Sequence, residues 1–472
     1  MKRLILLLTV IILSISANTS LKINGYDHQI VYWTFDHQFD KSLEMIEQKI
    51  NEDPQKPKYY FLKIFALSLK NLADADQFNF EKRYEYRNQK NEELIKYAES
   101  VVKKLERVEM TTENQFYLAN IYGYLGRMHT ASRSFFAAFQ NAKKGKTLIE
   151  ELVKTDPELY DAYLLLGMFE YYTDRLSGLT RFILSVLGLS GDRETGLEYL
   201  KLAHLKGELT RPMAEISLGE TYTAQESNHF EAVNYFNLLI KKYKNNASFY
   251  DWYVRLQLQL NRLKDAEESI INDPNNHVWG YTKANFYFKN GDYEKAVELL
   301  NHLIETKDFK WRSAFENSKY LRAAALLLVD KPSLEYEKEL NEQQRKIYDE
   351  LKNNLTAAKE IFSYASSIGR MDENINTNLS SIGTIPGNGY LRAMYEFYTG
   401  VYFFNLSDAD RADKFLTNVA KNRNYFQKEA AEYLLYMYKH MVPTQQQLAQ
   451  LEKIIKDLDN DNLRFSFMDL KK

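Results

Sequence analysis

The 472-residue chain contains no cysteine, only 8 prolines and 18 glycines, and almost no net charge. Without cysteine, the protein cannot use disulfides, thiol nucleophiles or zinc–thiolate sites. The scarcity of proline and glycine argues against disorder and against β folds rich in turns. Because 64 acidic residues balance 62 basic ones, no strong field of one sign exists to attract nucleic acid. The composition therefore predicts a folded, largely helical protein with no nucleic-acid partner.

The N-terminal stretch MKRLILLLTVIILSISANTS has the layout of a secretory signal peptide. Lys2 and Arg3 precede an apolar run at residues 4–13, and small residues such as Ala17 follow. This layout predicts a signal peptide at residues 1–17, cleavage near Ala17, and export to the periplasm or cell envelope. An uncleaved anchor is the alternative. No later stretch reaches transmembrane length, so no integral membrane span is expected in the mature chain.

A helix–turn–helix pattern is clearest in ANFYFKNGDYEKAVELL, residues 284–300. Ala284 and Ala296 would let two helices approach closely, and Gly291 would supply the backbone freedom of a tight turn. Tyr287 and Leu300 would fill the space between hairpins. The stretch resembles the tetratricopeptide repeat (TPR), a helical hairpin of about 34 residues.

The pattern recurs along the chain with varying fidelity. Ala232, Ala266 and Ala296 occupy corresponding positions, and every proline falls at an expected unit boundary. We therefore expect an all-α fold, a TPR-like superhelix (solenoid) built from helical hairpins. The expected segments are N-terminal TPR-like and extended helices at 24–110, a central TPR array at 111–310 with an inserted hairpin at 174–207, long helices at 311–370, a loop at 371–389, and C-terminal TPR-like helices at 390–472.

The glycine cluster GLSGDRETG, residues 188–196, can be compared with the pattern of a phosphate-binding loop. A P-loop needs two glycines separated by four residues and followed by lysine. Here Gly188 and Gly191 are closer together, and Asp192 would repel a phosphate. The cluster is therefore interpreted as a turn after an amphipathic helix at 176–189, with Ser190 or Asp192 capping the next helix. The basic stretch KKGK, residues 143–146, is interpreted as a solvated turn.

Residues 163–203, which include this cluster, carry a resemblance to known families. They are similar to a pattern in exported bacterial TPR proteins of unassigned activity, a resemblance that extends over most of the chain and is clearest from Glu113 to Ala266. The similarity of residues 163–203 to the eukaryotic TPR family linked to inclusion-body clearance is weak. Neither family offers catalytic residues to transfer to this chain. The resemblance implies a scaffold that binds another protein.

No pattern of catalytic residues emerges. The eight histidines show no metal-binding spacing, and no G-x-S-x-G elbow is present. We therefore expect no enzyme activity, no catalytic residue, no metal site and no cofactor.

The 35 tyrosines and 27 phenylalanines are the unusual feature of the composition. When the repeats are aligned, the helix positions that line the inner groove of a TPR array carry aromatic side chains and few cations. Such a groove is suited to bind an apolar or extended protein segment. Two alternatives remain open: a peripheral membrane protein that uses the apolar hairpin at 176–189, and a glycan-binding protein of the cell envelope. The predicted partner-binding residues are Phe116, Asn120, Tyr124, Leu164, Met168, Tyr171, Tyr172, Tyr281, Asn285, Phe288, Phe397 and Phe404.

Overall fold

The structure is a computed structural model that describes residues 21–175, 190–273, 275–373, 375, 381–385, 387, 389–422 and 424–471. This part of the chain contains twenty-three α-helices, one short 3₁₀ helix and no strand. The predicted all-α class is therefore confirmed. The predicted signal peptide and the apolar stretch at 176–189 lie outside the described residues.

The described residues form two compact units, with the boundary between Leu218 and Gly219. The helices of the first unit are α1 (Gly25–Phe35), α2 (Phe39–Glu52), α3 (Pro57–Ala75), α4 (Phe80–Leu105), α5 (Thr112–Ala131), α6 (Phe135–Thr155), α7 (Ala162–Asp174), α8 (Arg193–Lys206) and the first half of α9 (Arg211–Ala224).

Helices of the first unit pack both on their chain neighbours and on the next helix but one. Helix α3 packs against α2 and α4, and it also packs against α1 and α5. Helices α3, α5, α7 and α9 begin at residues 57, 112, 162 and 211, so that successive starts are 55, 50 and 49 residues apart. These hairpins are longer than a TPR unit of about 34 residues.

The second unit continues with α10 (His229–Lys242), α11 (Ala247–Gln259), α12 (Leu263–Ile271), α13 (Gly280–Asn290), α14 (Tyr293–Thr306), α15 (Arg312–Leu328), α16 (Leu334–Lys338), α17 (Glu342–Asn353), α18 (Leu355–Arg370), α19 (Tyr390–Asn405), α20 (Ala409–Lys421), α21 (Gln427–His440), α22 (Gln445–Leu458) and α23 (Asp461–Leu470).

Three helices in the early part of the second unit begin at regular intervals along the chain. Helices α11, α13 and α15 begin at residues 247, 280 and 312, which are 33 and 32 residues apart. Ala284 and Ala296 are fully buried where α13 meets α14. Gly291 ends α13 with a left-handed φ of 87°, a conformation that glycine adopts without steric cost. The predicted hairpin at 284–300 is therefore present with its turn in the expected place.

The later helices of this unit return to its first ones. Helix α18 packs against α12 and α13, and the Tyr433 hydroxyl of α21 donates a hydrogen bond to the Leu260 carbonyl at 3.0 Å. His229 Nδ1 lies 2.8 Å from Glu432 Oε2, and Ser466 of α23 donates to the Glu226 carbonyl at 2.6 Å. The C-terminal helices therefore pack against the start of the unit instead of only extending a stack.

The segment at 311–370, where long helices are predicted, contains four helices. It divides into α15, α16, α17 and α18, of which the longest has 17 residues. Asn354 interrupts the charged run, because it is both the C-cap of α17 and the N-cap of α18. The described part of the predicted loop at 371–389 contains no α-helix, and α19 begins at Tyr390.

Candidate binding surfaces

Residues 190–192 of the glycine cluster are not helical and lead directly into α8, while the helix predicted before them lies outside the described residues. Asp192 caps α8, because its carboxylate accepts a hydrogen bond from the Thr195 amide at 2.7 Å. Gly191 has a further role, since a Cβ atom at this position would lie 2.3 Å from the Glu170 carbonyl oxygen. The glycine thus allows a close approach to α7. Gly188 lies outside the described residues.

The basic stretch at 143–146 is not the predicted turn, because it lies inside α6. Lys146 is buried, and its ammonium group lies 2.9 Å from Glu170 Oε1. The same group donates a hydrogen bond to the Ser190 carbonyl at 3.0 Å. Lys146 therefore joins α6 to α7 and to the chain that leads into α8.

Three of the four tryptophans lie together in the second unit. The ring centroids of Trp279 and Trp311 are 4.7 Å apart, and the Arg255 guanidinium carbon lies 4.6 Å from the Trp311 ring. The same carbon lies 4.1 Å from Trp252, whose ring stacks on Phe236 at 5.5 Å. All three tryptophans are partly exposed. We call Trp252, Arg255, Trp279 and Trp311 the tryptophan cluster.

The regular helix spacing places these side chains together. Trp279 and Trp311 are the N-cap residues of α13 and α15, which pack side by side. Asp251 of α11 is fully buried, and one carboxylate oxygen lies 3.1 Å from Arg255 Nε. The other oxygen accepts a hydrogen bond from the Trp279 amide at 3.2 Å. Asp251 therefore fixes the position of Arg255 relative to the start of α13.

Half of the predicted partner-binding residues are partly or largely exposed, and half are buried. The exposed or partly exposed ones are Tyr124, Met168, Tyr172, Tyr281, Asn285 and Phe404. The buried ones are Phe116, Asn120, Leu164, Tyr171, Phe288 and Phe397. The buried side chains are core residues, so in this structure a partner could touch only the first group.

In the first unit, packing between helices accounts for the buried positions. Tyr171 is fully buried against α8, because a Cβ atom on Gly196 would lie 2.5 Å from the Tyr171 amide nitrogen. Its neighbour Tyr172 remains 39% exposed. Tyr124 packs edge-on against Phe61, at 6.0 Å between ring centroids.

In the second unit, helices of the same unit contact several of the predicted groove positions. Phe288 contacts Phe362 of α18, with ring centroids 5.6 Å apart. Phe404 remains partly exposed, although its ring packs edge-on against Tyr433 of α21, with 5.1 Å between the ring centroids. Tyr281 is the predicted residue nearest in sequence to the tryptophan cluster, and its hydroxyl accepts a hydrogen bond from Asn317 Nδ2 at 2.7 Å. Burial raises the pKa of Tyr281 above its usual value.

The tryptophan cluster was not among the predicted site residues. The predicted partner-binding residues come from the positions within the first helix of each TPR hairpin that line the inner groove. The N-cap positions of α13 and α15 are not among these positions. A signal was nevertheless available, since Trp279 and Trp311 are 32 residues apart and tryptophan occurs only four times in the chain.

Two comparisons with known proteins gave no match: no protein-family model matches the chain, and no curated protein is significantly similar to it. Among the described residues, no group of three or more histidine, aspartate or glutamate side chains could hold a metal ion. None of the described helices combines the length and the apolar character needed to cross a membrane.

Proposed function

We propose that the protein is a non-enzymatic exported scaffold of TPR-like helical hairpins that binds an extended segment of a partner protein at the tryptophan cluster. The observation that carries the proposal is the presence of three partly exposed tryptophans around Arg255. Export is proposed from the charged, apolar and small-residue pattern of the N-terminal 17 residues.

The helix spacing supports the TPR-like part of the proposal. Helices α11, α13 and α15 recur at 33 and 32 residues, close to the TPR period of about 34 residues. Each also packs against the next one in this series, as the first helices of adjacent TPR hairpins do. The longer hairpins of the first unit depart from this period, so the proposal concerns mainly the stretch from α11 to α15.

The chemistry of the cluster favours a protein segment as the ligand. Tryptophan and arginine are the residues that most often dominate the binding energy of protein interfaces. The rings offer large apolar area, while the indole N–H groups and the arginine can donate hydrogen bonds. A glycan would need an open ring face, and the Trp252 ring is already in contact with both Phe236 and Arg255.

The proposal can be tested with a library of random peptides displayed on phage. Peptides selected on the wild-type protein should be rich in apolar residues and should bind the Trp279→Ala/Trp311→Ala variant at least about thirtyfold more weakly, which corresponds to about 2 kcal/mol for a binding hot spot. The matched control is Trp33→Ala, which removes the fourth tryptophan, also partly exposed, from the first unit.

Circular dichroism must show that each variant stays folded. Peptides that bind wild type and the double variant equally would contradict a role for the cluster. If an array of glycans binds the wild-type protein through these tryptophans and no peptide does, the glycan-binding alternative replaces the proposal.

A further inference from the structure

A second exposed aromatic feature lies in the first unit, at the turn between α5 and α6. Phe135 and Phe136 open α6 and are 67% and 74% exposed. All residues from 131 to 136 are exposed, so the two rings lie on a projecting turn and not in a groove. Adjacent exposed phenylalanines form a small apolar patch, and such patches mark interaction sites.

Two arginines without acidic partners among the described residues lie in this turn and in the last part of α5. Arg133 lies in the turn with a left-handed φ of 59°, and Arg127 lies one helical turn before the end of α5. Both are exposed, and within the described part of the chain neither forms an ion pair or a side-chain hydrogen bond. Their charges are therefore available to an anionic partner.

Helix α4 adds a third cation. The Asn91 side chain of α4 donates hydrogen bonds to the Met128 carbonyl and the Ser132 hydroxyl, which joins α4 to the turn. Arg87 lies one helical turn before Asn91 on the same face of α4. Arg127 directly precedes Met128, whose carbonyl accepts the Asn91 hydrogen bond, so this contact brings the segment of α4 that carries Arg87 next to the segment of α5 that carries Arg127. In keeping with this placement, desolvation lowers the pKa of Arg87, and the like charges of Arg83 and Arg127 lower it further.

The acidic residue Asp76 acts on Arg87 but is already paired. Its charge raises the pKa of Arg87, against the overall shift, and its Oδ1 lies 2.6 Å from Nη2 of Arg83. Glu85 lies on the opposite face of α4 from Arg87, since the two are two residues apart on the helix.

We propose that the tip formed by Arg87, Arg127, Arg133, Phe135 and Phe136 docks on the surface of an anionic lipid bilayer. The phenyl rings enter the boundary between headgroups and acyl chains, and the guanidinium groups bind the lipid phosphates. A projecting apolar tip suits a fluid bilayer, which can close around it. A folded acidic protein would need a complementary pocket for the same two rings.

This inference does not depend on the proposed function, because the tip and the tryptophan cluster lie in different units and use different residues. The test uses the chain from Asn18, where the mature protein is predicted to begin, so that the apolar run at 4–13 cannot itself bind lipid. Co-sedimentation is measured with vesicles of equal parts phosphatidylglycerol and phosphatidylcholine, and with vesicles of phosphatidylcholine alone.

The wild-type protein should bind the anionic vesicles, more weakly as salt is added. Phe135→Ser/Phe136→Ser should lower the partition coefficient by at least about tenfold. Arg127→Gln/Arg133→Gln should lower it by about twenty-five-fold on anionic vesicles, which is about fivefold for each arginine, and should change it little on neutral ones.

Matched controls come from equally exposed residues of the second unit. Ile271→Ser removes a side chain that is 73% exposed, and Arg411→Gln/Arg464→Gln removes two arginines whose side chains are 59% and 60% exposed. Both control variants should bind vesicles as the wild type does. Trp279→Ala/Trp311→Ala should also retain vesicle binding, which separates this test from that of the proposed function.

Three outcomes would overturn the inference. The first is a wild-type protein that does not bind anionic vesicles. The second is binding that survives the double phenylalanine change. The third is binding that depends on the arginines alone and is displaced by inorganic phosphate, which would indicate a site for small anions. Because all four substituted residues are exposed, circular dichroism should show unchanged folding in each variant.

Discussion

Lys58 and Asp27 form an ion pair with 2.9 Å between Nζ and Oδ2, and neither side chain retains any exposed surface. Glu113 Oε1 lies 2.8 Å from the same ammonium group. Lys58→Met should therefore leave the fully buried Asp27 carboxylate without a cation, whereas the partly exposed Glu113 keeps Lys56 Nζ at 3.8 Å. We expect the free energy of unfolding to fall by about 3–5 kcal/mol, as measured by denaturant titration.

The control for this change is Lys63→Met, which removes the partly exposed Lys63–Glu47 ion pair. It should cost about 1 kcal/mol or less, because water solvates such pairs. Equal losses for the two variants would show that the buried pair has no special role in stability.

Gly196 should not tolerate a side chain. A Cβ atom there would lie 2.5 Å from the Tyr171 amide nitrogen, so Gly196→Ala must push α8 away from α7. A loss of about 1–3 kcal/mol or more is expected from thermal unfolding. Gly25→Ala is the matched change, because a Cβ atom at Gly25, in the first turn of α1, would meet nothing within 4 Å. That variant should be neutral or slightly more stable.

The adjacent tyrosines 171 and 172 should respond differently to the same substitution. Tyr171 is fully buried, whereas Tyr172 is 39% exposed. Tyr171→Ala should lower the free energy of unfolding by about 3–5 kcal/mol, as for other large core aromatics, and Tyr172→Ala should lower it by about 1 kcal/mol. Equal stability of the two variants would contradict the burial of Tyr171 and the exposure of Tyr172.

Glu337 should make stability depend on pH. Burial by itself raises the pKa of this carboxyl, but hydrogen bonds from Lys352 and Tyr348 outweigh it and lower the pKa below its usual value. The unfolded chain therefore binds a proton at Glu337 more readily than the folded one. The stabilisation is present above the unfolded pKa, near 4.5, and is lost as pH falls through the folded value.

Melting temperatures of Glu337→Gln and wild type should accordingly differ most near neutral pH, with the variant less stable, and should converge in acid. Glu335→Gln changes an exposed carboxylate on the same short helix and should melt like the wild type throughout. A difference for Glu337→Gln that persists unchanged in acid would mean that its cause is not the carboxylate charge.

Several features followed from the sequence because they depend on local preferences of the backbone. The all-helical class follows from the apolar periodicity and from the scarcity of proline and glycine. The turn at Gly291 was predicted correctly, and the structure decides between the two predicted caps, Ser190 and Asp192, in favour of Asp192. Both features are local, since a left-handed residue or an N-cap acts within a few residues of itself. The interruption at Asn354 was not predicted. The helical pattern of the sequence continues on both sides of this residue, so the pattern alone does not mark the break between the two helices.

Only the tertiary structure decided which aromatic side chains are accessible. The sequence places Phe288 on one face of α13, but α18 covers that face with Phe362. The tryptophan cluster likewise depends on three helices that stack at nearly constant spacing and on Asp251, which fixes two of them. The physical reason is that helical periodicity determines which face of a helix is apolar, whereas the choice of the helix that covers this face depends on packing between residues far apart in the chain.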